Sequence, residues 1–80
     1  MIKKGSHVKI HTFAGGCYDG ITGKVTEKFV SSQNEIKDET FEYVCDWYPG
    51  WYRVKFDCPV HTGERFVIQD IFMPSELTII

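Results

Sequence analysis

Two runs of alternating residues around Pro49-Gly50 constrain the fold more than any other feature of this chain. Phe41-Glu42-Tyr43-Val44-Cys45-Asp46-Trp47-Tyr48 precedes the dipeptide, and Trp51-Tyr52-Arg53-Val54-Lys55-Phe56-Asp57-Cys58 follows it. Alternation with aromatic and β-branched residues is the pattern of a half-buried strand, not of a helix. Pro-Gly suits a type II turn, which hairpins like less than the primed turns, so a loop wider than two residues is allowed for. Pairing outward from that turn sets Tyr48 opposite Trp51, Trp47 opposite Tyr52 and Asp46 opposite Arg53, and ends with Phe41 opposite Cys58. One face of the expected hairpin carries Phe41, Tyr43, Cys45, Trp47, Tyr52, Val54, Phe56 and Cys58, which is a core. The other carries Glu42, Val44, Asp46, Tyr48, Trp51, Arg53, Lys55 and Asp57, which is a solvent face. A slip of one residue would bury Asp46, Arg53 and Lys55, so the pattern specifies its own register.

Shorter signals complete an all-β reading. His7-Val8-Lys9-Ile10-His11 is a strand with Val8 and Ile10 inward. Lys24 to Val30 is a second strand with Val25 and Phe29 inward, and Glu27 breaks the alternation in the manner of a bulge. Ser31 to Thr40 is a long polar loop without Pro or Gly, and Ser32-Gln33-Asn34-Glu35 has the spacing of a capping box, so one helical turn is expected inside it. A loop that long in a small domain is often a functional insertion. Arg65 to Phe72 is a further strand, Pro74-Ser75-Glu76-Leu77 a tight 3₁₀ turn, and Thr78-Ile79-Ile80 a short closing strand. Five or six short strands and no long helix predict a small antiparallel β-barrel. With 80 residues the chain is expected to form a single domain, 1–80, burying only ~60% of its unfolded surface.

Composition excludes several classes. Hydrophobic residues are 42% and charged residues 25%, a globular mix. The net charge of −2 argues against a highly basic nucleic-acid coat protein, yet the charge is uneven. Residues 1–30 carry five lysines against Asp19 and Glu27 (+3), whereas residues 31–80 carry four cations against nine carboxylates (−5). No apolar run approaches the ~20 residues of a membrane span, and the lysines at the N-terminus precede no apolar leader segment, so a cytoplasmic location is expected. Cys17, Cys45 and Cys58 form no CxxC pair and read as free thiols of a reducing compartment. In the hairpin register Cys45 and Cys58 stand four steps apart, ~13 Å at strand rise, too far for a disulfide. Cys58-Pro59-Val60-His61 has a metal-ligand spacing but lacks a second pair, and His7 and His11 stand ~13 Å apart on their strand. No metal or cofactor is therefore expected. Gly23-Lys24 is followed by Val25, which breaks a Walker pattern, and no GxGxxG, GxSxG or HExxH occurs. No nucleophile–base pair can be placed from spacing, so a non-catalytic protein is expected.

Glycine placement adds a family likeness. Gly16-Cys17-Tyr18-Asp19-Gly20-Ile21-Thr22-Gly23-Lys24-Val25 reads G-x-aromatic-x-G-x-x-G-x-V, with Gly5-Ser6-His7-Val8-Lys9-Ile10 upstream. This resembles the KOW motif of SH3-like barrels in ribosomal proteins and transcription-elongation factors. The physical logic is that glycines supply a turn of positive φ and Gly23 allows close strand approach. The stretch from Ile10 to Gly16 is about three residues longer than the motif usually has. The resemblance covers roughly residues 3–29, and the pattern of 52–80 looks like the rest of an SH3-like barrel. It implies a non-catalytic binding module that contacts RNA or protein through the loop after the first strand. By position that loop is Thr12 to Asp19, with Phe13 and Tyr18 as aromatic contacts, although Tyr18 could equally only fill the barrel end.

Two function classes follow. The first is a regulatory protein-binding module, a monomer acting through barrel-end loops and an exposed aromatic hairpin tip, with Phe13, Tyr18, Tyr48, Trp51 and Arg53 as partner-binding candidates; Trp, Tyr and Arg are the residues most enriched at binding hot spots. The second is an RNA- or DNA-binding module in which Lys3, Lys4, Lys9, Lys24 and Lys28 face phosphates and Phe13 stacks on a base. A weaker third is an oligomeric barrel with a ligand site between subunits. None of these readings identifies the partner.

Overall fold

Alternation at the N-terminus builds the first strand as expected. β1 (His7–Ile10) turns Val8 and Ile10 fully into the core and leaves Lys9 exposed. The computed structural model describes residues 1–12 and 16–80, so Phe13 lies outside the described residues. β2 (Thr22–Val30), β3 (Glu42–Val44), β4 (Tyr52–His61), β5 (Phe66–Phe72), a 3₁₀ turn (Pro74–Glu76) and β6 (Leu77–Ile79) follow. They form one sheet in the order β5-β4-β2-β1-β6, with β3 beside β2 off that path. The protein is all-β, and its 3₁₀ turn lies where Pro74 and Glu76 predict it. There the Met73 amide donates to Glu76 Oε1 at 2.9 Å, and the His11 amide donates to the Glu76 carbonyl at 2.6 Å, tying the turn to the end of β1.

Val8, Ile10, Val25 and Val54 are fully buried, and Tyr52, Phe56, Val60 and Phe72 pack with them on the inner face of the sheet. Each such side chain contributes roughly 1.5–3 kcal/mol relative to exposure. The sheet is not closed into the expected barrel: among the described residues β5 and β6 end the path and no ladder joins them. Nor is it wholly antiparallel.

The expected 41–58 hairpin does not form. β3 pairs parallel with β2, setting Lys28 beside Glu42, Phe29 beside Tyr43 and Val30 beside Val44. β4 pairs antiparallel with the opposite edge of β2. The cause is the unequal length of the neighbours. β1 covers only Thr22 to Lys24 of the nine-residue β2, which leaves the far half of that edge open for β3. A parallel pair needs a crossover of about a dozen residues, and the polar stretch 31–41 between β2 and β3 supplies it. The type II turn does exist, with the Trp51 amide on the Tyr48 carbonyl at 3.1 Å and Gly50 at φ +87°. It is fastened to β2 instead of to a hairpin partner: the Gly50 amide donates to the Phe29 carbonyl and the Phe29 amide to the Trp51 carbonyl, both at 2.8 Å.

Two further expectations are corrected within 24–35. The register of β2 on β4 does shift between Val25 and Glu27, so the bulge is real. Its effect on Phe29 is the reverse of the expected one. Before the bulge Val25 opposes the core residue Val54; after it, Lys28 opposes the core residue Tyr52 and Glu27 opposes Arg53. Residues directly opposite share a face, so Phe29 is turned to the outer side, where it is nevertheless buried. Ser32 to Glu35 hold no helical turn. The Asn34 amide makes one turn bond to the Ser31 carbonyl, and the Ser32 amide and hydroxyl go to Asp46.

Candidate functional site

The bulge creates a second, smaller cluster on the outer face. Arg53 places its guanidinium 5.4 Å from the Phe29 ring centre and 5.6 Å from that of Tyr43. Its Nη1 lies 3.3 Å from Glu27 Oε2 across the strand pair. Each cation–π contact contributes about 0.5–1 kcal/mol, and the half-exposed ion pair no more. Arg53, expected as a partner contact, is thus held within the fold as the lid over Phe29.

Beyond this cluster the chain from Tyr43 to Trp51 presents aromatic surface. Trp47 is 87% exposed and Tyr43 51%, with Val44 and Tyr48 also exposed. Trp51 is half-buried, its ring 5.1 Å from that of Tyr48. The sequence reading put Tyr48 and Trp51 outward at a hairpin tip and Trp47 in the core. Tyr48 does face solvent, but at a turn crossing β2. Among the described residues Trp47 is the most exposed aromatic, and the hairpin register concealed it.

The segment is anchored from behind. Asp46 accepts the Ser32 amide at 2.8 Å and the Ser31 and Ser32 hydroxyls, and these bonds hold its carboxyl below the usual carboxylate range. The Cys45 amide donates to the Val30 carbonyl at 2.8 Å. The stretch between positions 35 and 46 is mostly negative, with Glu35, Asp38, Glu39, Glu42 and Asp46 against Lys37 alone, while Arg53 lies over the Tyr43 ring.

Tyr18 packs inward, between Phe56 at 5.2 Å and Phe72 at 5.5 Å. Burial, and then the carboxylate of Asp70, push its phenol up to about 12. Filling the end of the core is the role this geometry gives it.

The five candidate lysines are spread over adjoining surfaces, with Lys4 common to two of them: it also lines a hollow with Lys24, Lys55 and Asp57. Lys3, Lys4 and Lys28 line a hollow together with Asp38, Glu42, Phe41 and Tyr52, and Lys4 Nζ donates to the Thr40 carbonyl at 3.3 Å. Lys9 and Lys24 lie on the outer face, where Lys24 opposes Lys55, a residue absent from the expected set. Near them His7 Nε2 meets Asp57 Oδ2 at 2.7 Å and the Thr22 hydroxyl donates to the same oxygen at 2.6 Å. These bonds, the Thr22 one foremost, lower the Asp57 carboxyl from its ordinary value. All three cysteines are free, and the described residues include no helix long and apolar enough to cross a membrane.

No protein-family model, curated protein or solved structure matches this chain.

Proposed function

We propose that this protein is a non-catalytic, regulatory binding module that engages a protein partner through the aromatic surface centred on Trp47. The observation that carries the reading is the 87% exposure of Trp47 in a chain whose described residues include only ten buried hydrophobic ones. A core this thin gains about 1.5–3 kcal/mol from each large side chain it covers, so leaving its largest residue type in water forgoes much stability. Tryptophan is also among the residues most enriched at interface hot spots.

The surrounding acids favour a partner segment that is apolar with cationic flanks, and they disfavour stacking of nucleic-acid bases at this end of the molecule. The order β5-β4-β2-β1-β6, with a 3₁₀ turn before the last strand, supports taking the sheet as an SH3-like barrel of KOW type. A cytoplasmic setting fits the three free thiols.

The test is affinity capture from the native host with the partner identified by mass, run in parallel with Trp47→Ser and Tyr18→Phe. The expected result is a partner retained by the wild type and Tyr18→Phe and lost by a folded Trp47→Ser. A partner held equally by all three would refute the assignment of Trp47.

A further inference from the structure

β5 is the outermost strand on its side of the sheet: β4 pairs with one of its edges, and among the described residues no strand pairs with the other. The Thr62 amide donates to the Arg65 carbonyl at 3.0 Å, so Arg65 faces β4 across the turn between them. Residues that exchange bonds alternate along an antiparallel pair, and here His61 opposes Phe66 and Val60 opposes Val67. Phe66 and Ile68 therefore aim their amides and carbonyls at the open edge. Farther along, the Ile71 amide is taken up by the carboxylate of its neighbour Asp70 at 2.8 Å. Phe66 is 69% exposed and Ile68 55%, and the His61 ring lies 5.0 Å from that of Phe66. Neither lysine nor proline, the usual guards of a sheet edge, stands in the strand Phe66–Phe72.

We propose that this edge pairs with the same edge of a second copy, making a two-fold dimer whose sheets join through antiparallel β5 strands. The strand's own sequence selects that occupant. A two-fold axis through Val67 sets Phe66 of each copy opposite Ile68 of the other. Outward-facing residues then meet outward-facing residues, and each Phe66–Ile68 pair exchanges two backbone bonds. An aromatic against a β-branched residue is also a favourable cross-strand pair. Slipping by two residues in one direction sets Phe66 opposite Asp70, and in the other direction Ile68 opposite Glu64. Either slip therefore places an apolar side chain against a carboxylate, and a slip of one turns the apolar side chains to opposite faces. At roughly 200 Å² for a large side chain, the exposed parts of two Phe66 and two Ile68 cover roughly 500 Å². The joined edges add to this, which brings the contact near the ~1,000 Å² lower limit of a specific interface and implies a dissociation constant on the order of 10 μM. The dimer does not depend on the Trp47 surface. β3, which leads into that surface, lies beyond β4 and β2 from β5, so each copy keeps it free.

Sedimentation velocity of the full chain from about 1 to about 500 μM tests this, a range that spans the expected constant. The mass should rise from monomer to dimer and stop there, since a two-fold contact closes on itself. Ile68→Lys puts a lysine on the edge and should weaken dimerisation about tenfold or more while keeping the wild-type circular dichroism spectrum. Phe66→Thr, which keeps a strand former and removes the ring, is a second variant with the same expected loss. Ile79→Lys alters an exposed apolar residue of β6, at the other end of the sheet, and should leave the dimer unchanged. Hydrogen exchange at the Phe66 and Ile68 amides should slow as concentration rises, with the Val67 amide, which faces β4, unaffected. A chain that stays monomeric throughout, a dimer that survives Ile68→Lys and Phe66→Thr, loss of the dimer in Ile79→Lys, growth beyond the dimer, or edge amides indifferent to concentration would each overturn the proposal.

Discussion

Gly23 is the position at which a single methylene should cost most. Its Cα is paired to Val8 on β1 and Phe56 on β4, in the middle of the sheet. A Cβ built there would lie 2.8 Å from Val54 Cγ1 and 3.0 Å from the Lys55 carbonyl carbon, with the Lys55 carbonyl oxygen closer still. Those backbone atoms belong to β4, which is laddered to β2 on one side and β5 on the other. They cannot swing aside as a lysine tip could. Gly23→Ala must therefore push the strands apart where Val25 and Val54 are fully buried. Overpacking of this kind costs typically 1–3 kcal/mol, and removing a glycine from the unfolded chain returns only about 0.4–1 kcal/mol. The net loss is about 1–2 kcal/mol, which lowers Tm by about 5–15 °C in a domain of this size. Thermal and urea melts monitored by far-UV circular dichroism measure it. Val54→Ala in the same background removes one of the two clashes, so the pair should be less destabilised than the sum of the single variants. A Gly23→Ala protein melting within about 2 °C of wild type would show that the strands do not approach as closely as described.

Three more expectations follow from particular side chains. Tyr18 has a folded value raised to about 12 from 10.0; its contribution is complete below pH 10 and is lost as pH rises through 12, so Tyr18→Phe should flatten the alkaline limb of stability measured by urea melts. Asp57 is lowered by Thr22 and His7; its contribution is present above the ordinary carboxylate value and is lost as pH falls through the depressed one. Asp57→Asn should thus remove part of the acid dependence while leaving the contribution of Tyr18 to the alkaline limb unchanged. Asp46→Ala unfastens Ser31 and Ser32, and hydrogen exchange should show faster amide exchange at Ser32 with β1 protection unchanged.

Alternation made most strands legible because a buried inner face demands it. Val8 and Ile10, and likewise Tyr52, Val54 and Phe56, each lie on the face that their spacing predicts. The bulge at Glu27 was legible as a broken period, but its consequence was not. One extra residue reverses which side every later side chain takes, and Phe29 followed it outward. The 41–48 run alternates equally well as a hairpin arm or as a parallel edge strand, since period two identifies a strand and says nothing of its neighbour. The long polar stretch 31–40 was the available signal: a parallel connection requires such length and a hairpin does not. Trp47 was placed inward for the same reason, by a register taken from the nearest partner in sequence. The Lys24–Lys55 opposition could not be read at all until β4 was known to lie against β2.

The most direct measurement is a binding isotherm of the captured partner with wild type, Trp47→Ser and Ile68→Lys. A hot-spot tryptophan contributes about 2 kcal/mol or more, so Trp47→Ser should weaken binding about thirtyfold while keeping the wild-type melting curve, and the edge-strand variant should bind the protein partner as wild type does. Unchanged affinity in a folded Trp47→Ser protein would contradict the central claim that this exposed aromatic surface is where the partner is held.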